Sequence, residues 1–207
     1  MMTDEPVDTP NRVVRSVAFH VKRGGIMAKP KTYPILHHFP GRVSTMPHPS
    51  GGRHLAAELE SLRARGTDIL VSALTPGEQR RLDLTGEAAA ASAAGLEFHG
   101  APIGDFGIPD REEITPTLAH LLDRLHGGAH LVVHCWAGIG RSSLLAASLL
   151  VLDGVEPDDA WRLISDARGV AVPETAEQRS WVDPFHVKHD RPTDRVSRET
   201  GGTTTSS

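Results

Sequence analysis

The sequence predicts an α/β fold: a twisted, mostly parallel central sheet flanked by helices in one domain. Two observations carry this. Short apolar runs of strand length alternate with amphipathic stretches of roughly 10–15 residues, the pattern of crossover units. The chain has 207 residues, and a prior of about 150 per domain leaves room for one domain and its tails.

Leu55, Leu59 and Leu62 recur at helical spacing over residues 53–65, and Gly66 stops that helix. Residues 68–74 (DILVSAL) are a short apolar run, read as a buried strand. Pro76 opens a polar helical turn, and an alanine-rich helix over 87–94 ends at Gly95, the residue favoured just past a helix end. Residues 96–103 read as the next strand. Asp110 with Glu113 three residues on forms a capping-box-like start for a helix to about His126. Residues 131–134 give another strand, and helices follow at 141–152, 157–168 and 173–186.

The ends differ from this middle. Residues 190–207 hold ten Ser, Thr or Gly among eighteen, too little apolar surface to offset the entropy of ordering, and are expected to be a disordered tail. Residues 1–29 carry five basic and three acidic side chains, with Val17, Phe19 and Val21 alternating. They are expected to form a flexible N-terminal extension, with Met27 offering a second start besides Met1. The domain is placed at 30–189.

Composition excludes several classes. The net charge of −4 argues against a general basic surface for nucleic acid. The longest apolar run, residues 144–152, is far short of the roughly 20 residues that span a bilayer. The single cysteine excludes an internal disulfide framework and a cysteine-rich zinc cage. No apolar segment of the kind found in secretory signals follows the start, so the cytoplasm is the expected location.

The only cysteine lies in His134-Cys135-Trp136-Ala137-Gly138-Ile139-Gly140-Arg141-Ser142-Ser143, between a strand and an apolar helix. A random window would match H-C-x-x-G-x-G-R-S/T on the order of once in 10⁸. A loop running from a strand into a helix N-terminus turns backbone N–H groups and the positive dipole end toward an anion. Gly138 and Gly140 let the backbone curl tightly around it, and Arg141 offers a planar fork for two phosphate oxygens. Cys135 would sit on the floor of this electropositive cup, where the thiolate is favoured. Ser142 can donate a hydrogen bond to the sulfur. His134 either braces the loop through backbone contacts or simply packs at the strand end. Trp136, Ala137, Gly138, Ile139, Gly140 and Arg141 are the expected substrate-binding residues, with the Trp136 edge turned to substrate.

These residues resemble the Cys-x5-Arg protein tyrosine phosphatase superfamily, most of all its compact dual-specificity branch, which includes the cyclin-dependent-kinase-inhibitor-type phosphatases. The resemblance covers roughly residues 34–187. It implies a compact single domain, a phosphocysteine intermediate and no metal or other cofactor.

A thiolate attacking a phosphate monoester needs an acid for the departing oxygen. Asp105 and Asp110 lie in the right neighbourhood. Asp110 can be explained as a helix cap, whereas Asp105 sits in a glycine-rich loop with no such role. Asp105-Phe106-Gly107-Ile108-Pro109 is also similar to the family's mobile acid loop, although Ile103-Gly104 stands where Trp-Pro is usual. Asp105 is therefore the expected acid. Residues 173–178 resemble the family stretch whose glutamines position the hydrolytic water, which makes Gln178 a supporting residue. Glu174 replaces the first glutamine and is read as serving a helix N-terminus beginning after Pro173.

Twelve histidines invite a metal reading, but His37-His38 and His186-x-x-His189 give no complete ligand set, so no metal is expected. Trp161 and Trp181 are expected to anchor helices on the core, and Arg168 with Gly169 to end one. The expected function is a cysteine-dependent phosphoprotein phosphatase acting on phosphotyrosine, with phosphoserine and phosphothreonine as the wider specificity. Its partner would be a phosphorylated protein or peptide, with no nucleic acid and no membrane span. A phosphoinositide phosphatase is disfavoured because the loop carries no lysine. A rhodanese-like sulfurtransferase or a non-catalytic phosphopeptide-binding module would not require Asp105.

Overall fold

Five strands form one sheet in the order β1-β2-β5-β3-β4, in a computed structural model that describes residues 30–38 and 40–185. The strands are β1 (Tyr33–Ile35), β2 (Arg42–Pro47), β3 (Ile69–Ser72), β4 (Glu97–Gly100) and β5 (His130–Cys135). Only β1 runs antiparallel to its neighbour, so the sheet is mostly parallel, as expected. The expectations for 1–29, including Val17, Phe19, Val21 and the choice between Met1 and Met27, lie outside the described residues. So do those for His186, His189 and the tail.

Seven α-helices accompany the sheet among the described residues: α1 (Leu55–Ala64), α2 (Pro76–Arg81), α3 (Glu87–Ala93), α4 (Arg111–His126), α5 (Gly140–Leu152), α6 (Pro157–Arg168) and α7 (Ala176–Trp181). Every residue of β5 is buried. Its alternating side chains therefore feed two cores, because successive residues of a strand point to opposite faces. Leu131 and Val133 join Ile69, Val71 and the leucines of α4 and α5 in the larger one. Val132 joins Leu70, Met46 and the leucines of α1 in the smaller one. Trp161 and Trp181 anchor α6 and α7 on the larger core, as the sequence suggested. α6 ends at Gly169 in the left-handed conformation, also as expected. No helix among the described residues is long and apolar enough to cross a membrane.

Three features correct the reading from sequence. The hairpin β1–β2 was not anticipated. The strand expected over 96–103 stops at Gly100, and the chain beyond it becomes the loop that carries Asp105. The helix expected from residue 173 starts only at Ala176, where the Thr175 side chain accepts from the Gln178 N–H at 3.1 Å, and a short 3₁₀ turn follows its end. Glu174 is thus outside the helix and does not serve its first turn.

Candidate active site

The three central parallel strands end on one side of the molecule, the usual place for a ligand crevice in such sheets. Cys135 is the last residue of β5, and the chain turns through Trp136–Ile139 directly into α5, whose thirteen residues present their N-terminus to the cup. Gly138 makes the turn possible. Its φ is +70°, and a Cβ there would run into the Met46 carbonyl and the Pro47 nitrogen of β2. The Gly138 N–H points back at Cys135 Sγ from 3.2 Å, and Ser142 Oγ lies 3.5 Å from the same sulfur. Both are placed to stabilise a thiolate by hydrogen bonding.

Arg141 is 2% exposed and fixed by two partners. Its NH1 donates to Glu78 Oε2 at 2.8 Å and to the Ile103 carbonyl at 3.0 Å. Glu78 is itself locked. The Thr75 N–H and hydroxyl donate to the same Oε2 at 2.8 and 2.9 Å, and Thr75 and Glu78 form a complete capping box at the start of α2. Burial alone would push the Glu78 carboxyl up, but the donors from Arg141 and Thr75 bring it down to about 2. For Arg141, burial opposes the charge, yet Glu78, Cys135 and Asp105 keep the guanidinium above its ordinary value. The fork that the sequence assigned to phosphate is thus pre-set on a buried carboxylate 63 residues away.

A folded pKa held below the unfolded one gives stability that is complete above about pH 4.5 and lost as pH falls toward 2. Wild type is therefore expected to exceed Glu78→Gln by roughly 3 kcal/mol in urea unfolding at pH 7. That gap should close between pH 4.5 and 2. Turnover by Glu78→Gln should fall about 10²-fold at neutral pH, because Arg141 loses its alignment.

Asp105 reaches the site from the loop after β4. That loop is held to β3 by Ala101 and Ile103, whose N–H groups donate to Ser72 and Ala73 at 2.8 and 3.1 Å. A turn from Gly104 to Gly107 exposes Asp105 and places Phe106 at φ +56°, a conformation that a bulky side chain rarely adopts. Asp105 Oδ1 lies 3.3 Å from Arg141 NH2, so the two sequence candidates meet. Asp110, in contrast, caps α4 by accepting from the Glu113 N–H at 3.0 Å.

The resulting cleft has a volume of about 330 Å³, and Cys135, Arg141, Asp105, Trp136 and Ala137 all line it. Trp136 lines the cleft with the His48 ring 5.8 Å away in a T-shaped contact and the Arg81 guanidinium 5.1 Å over its face. Gly140 also lines the cleft, but the Gly138 and Ile139 positions do not. Ile139 packs against the larger core instead, and Gly138 has given its N–H to the sulfur.

His134 does not brace the loop with its side chain. It is fully buried and faces Glu87 of α3, with Nε2 2.9 Å from the carboxylate in an ion-pair contact not aligned as a hydrogen bond. Gln178 is fully buried, and its amide bridges two loops. Its Nε2 donates to the Gly107 carbonyl at 3.1 Å, and its Oε1 accepts from the Glu174 N–H at 3.2 Å. It therefore ties the Asp105 loop to the segment before α7. Glu174 turns its carboxylate onto Gly140, where a Cβ would collide with it, and lines the cleft.

Glu78, Arg81 and Arg168 had no sequence assignment to the site. The Thr75–Glu78 spacing signals a cap but says nothing of Arg141. Arg168, read as a helix-end cation, also donates to the Ala137 carbonyl of the loop at 3.3 Å.

Fold and cup together are those of the protein tyrosine phosphatase superfamily, dual-specificity branch. Residues 45–155 match the family model "Tc-R-P: Polymorphic toxin system, DSP-PTPase phosphatase", and the chain belongs to that family. It is 28% identical over 138 residues to cyclin-dependent kinase inhibitor 3 of Rattus norvegicus, covering 66% of this chain and 65% of that protein. The match thus spans just under two thirds of that relative. It is also 28% identical over 165 residues to protein tyrosine phosphatase PRL-1 of Leishmania major, covering 75% of this chain and 85% of the relative. Among solved structures, the fold matches kinase associated phosphatase with its catalytic-site cysteine changed to serine. That match has a TM-score of 0.67 at 21% identity and covers 76% of this chain and 94% of the other. Tk-PTP in its active form matches with a TM-score of 0.59 at 27% identity, over 70% and 91%.

Proposed function

We propose that the protein is a cysteine-dependent phosphoprotein phosphatase that hydrolyses phosphotyrosine, with phosphoserine and phosphothreonine as slower substrates. One observation carries the reading: Asp105, thirty residues before Cys135 in sequence, lines the same cleft as Cys135 and Arg141. Cys135 Sγ attacks phosphorus in line and forms the phosphocysteine while the P–O bond to the substrate oxygen breaks. Arg141 and the loop amides hold the non-bridging oxygens as charge develops on them. Asp105 gives its proton to the leaving oxygen, then takes one from the water that cleaves the S–P bond. Ser142 supports the sulfur as attacking group and as leaving group. Phosphotyrosine is favoured because its phenolate leaves more readily than an alkoxide. The loop offers a second phosphate no lysine, which disfavours the phosphoinositide reading. The acid disfavours a pure binding module.

A panel of phosphotyrosine, phosphoserine and phosphothreonine peptides and phosphoinositides tests the reading. Release of phosphate should be fastest from phosphotyrosine. Vanadate and inorganic phosphate should compete, because the cup is built for an oxyanion. A chelator should leave the rate unchanged. Activity that vanished with chelator and returned with zinc or manganese would overturn the mechanism, as would a preference for phosphoinositides.

A further inference from the structure

Away from the cleft, β4 and α4 bring three ligand-bearing side chains to one point. Glu97 and His99 are two residues apart on the edge strand and so share a face. His120 comes down on them from α4. His99 Nε2 lies 2.7 Å from Glu97 Oε1, and His120 Nε2 lies 2.6 Å from the same oxygen. The two imidazole rings are 5.2 Å apart at their centroids. One donor atom from each residue falls within 4.8 Å of the others. Arg124 sits 3.3 Å from the second oxygen, Oε2, which leaves Oε1 turned to the imidazoles.

We propose that Glu97, His99 and His120 form a binding site for a divalent cation of the zinc class. Two imidazole nitrogens and one carboxylate oxygen are a recurrent zinc donor set, which leaves a fourth position for water. Bonds of about 2.0–2.1 Å in a tetrahedron put donor atoms roughly 3.3 Å apart. The two distances to Glu97 Oε1, 2.7 and 2.6 Å, therefore need only a small widening. His120 is about half exposed and free to make it. Arg124 opposes a cation by its charge, but it binds the oxygen the metal would not use and so orients the other.

The position gives the site a consequence. The chain between β4 and α4 is the loop that carries Asp105, so the cation would tie together the two elements that flank that loop. The site is distinct from the cup. Glu97 is in register with Ile69 and Leu131, four residues before Cys135 and so about 13 Å from it along the strands. The inference does not depend on the proposed reaction.

Calorimetric titration of the full chain with zinc chloride tests it, using Cys135→Ser to remove the active-site thiol as a competing ligand. One zinc per chain should bind, and X-ray absorption should show two histidine nitrogens and one carboxylate oxygen. Tm should rise by roughly 5–10 °C at a hundredfold excess over Kd. Adding His99→Ala, His120→Ala or Glu97→Gln should weaken binding at least about tenfold and remove the Tm rise. Circular dichroism reports whether each variant is folded, and having three independent substitutions guards against the failure of one. No saturable binding in the parent, or equal binding in folded variants, would overturn the site and assign any zinc taken up to other histidines. Neither outcome bears on the phosphatase reading, which is scored by phosphate release.

Discussion

Cys135→Ser is expected to abolish turnover and leave oxyanion binding almost unchanged. The serine hydroxyl would occupy the sulfur's place at the end of β5, within reach of the Gly138 N–H and Ser142. It is a far weaker nucleophile than a thiolate, and removal of a covalent nucleophile costs orders of magnitude, here about 10⁴-fold or more in kcat. Phosphate is held by other groups. Arg141 stays clamped on Glu78 and the loop keeps its curl, so the Kd for vanadate or phosphate should stay within a few-fold of wild type. Steady-state rates with an aryl phosphate, together with calorimetric binding of phosphate, separate the two effects. Residual turnover above about a tenth of wild type would remove Cys135 from the nucleophile's role.

Asp105→Asn should produce a loss that depends on the substrate. General acid catalysis supplies about 10²–10⁴-fold, most of it where the leaving oxygen is strongly basic. The variant should therefore lose most on phenyl or alkyl phosphates and least on nitrophenyl phosphates, so that log(kcat/KM) against leaving-group pKa becomes steeper. The amide keeps the loop's shape and weakens only the contact with Arg141 at 3.3 Å. Asp110→Asn is the control. It touches the cap of α4, and its cost should appear in stability, up to about 1 kcal/mol, with the rate untouched. If the two variants exchange phenotypes, the proton comes from Asp110.

The cup was legible because its chemistry is local. Cys135 to Ser142 are eight consecutive residues, and the strand and helix beside them are continuous apolar runs. The β1–β2 hairpin was not. β2 buries Val43, Ser44, Thr45 and Met46 without alternation, and Ser44 is satisfied only by His130 Nε2 at 3.0 Å, 86 residues on. No apolar period of two marks such a strand. His37, weighed as a metal residue, instead accepts the Val43 N–H at 3.2 Å inside the hairpin. The same reason hid the partners of the site. Nothing local to Glu78 or Glu87 points to the motif, yet each is buried against one of its residues, Arg141 and His134, across a long stretch of chain. A buried polar contact between distant residues has no periodicity to betray it. Glu97, His99 and His120 were invisible for the same reason, since only the packing of α4 on β4 brings them together.

The burial of Cys135 bears on how this protein would age under oxidative stress. The residue is 2% exposed, so peroxide can reach the sulfur only by the path that substrate takes, and bound phosphate should shield it. Once peroxide has oxidised the Cys135 thiol to sulfenic acid, releasing water, the chain has no second cysteine with which to close a disulfide. Rescue then falls to a thiol from outside or to condensation with a neighbouring backbone nitrogen, of which Trp136 supplies the nearest in sequence. A small reductant should fit the cleft where a protein reductase would not. Recovery of activity should therefore track the concentration of small thiols such as glutathione and be indifferent to thioredoxin-sized proteins.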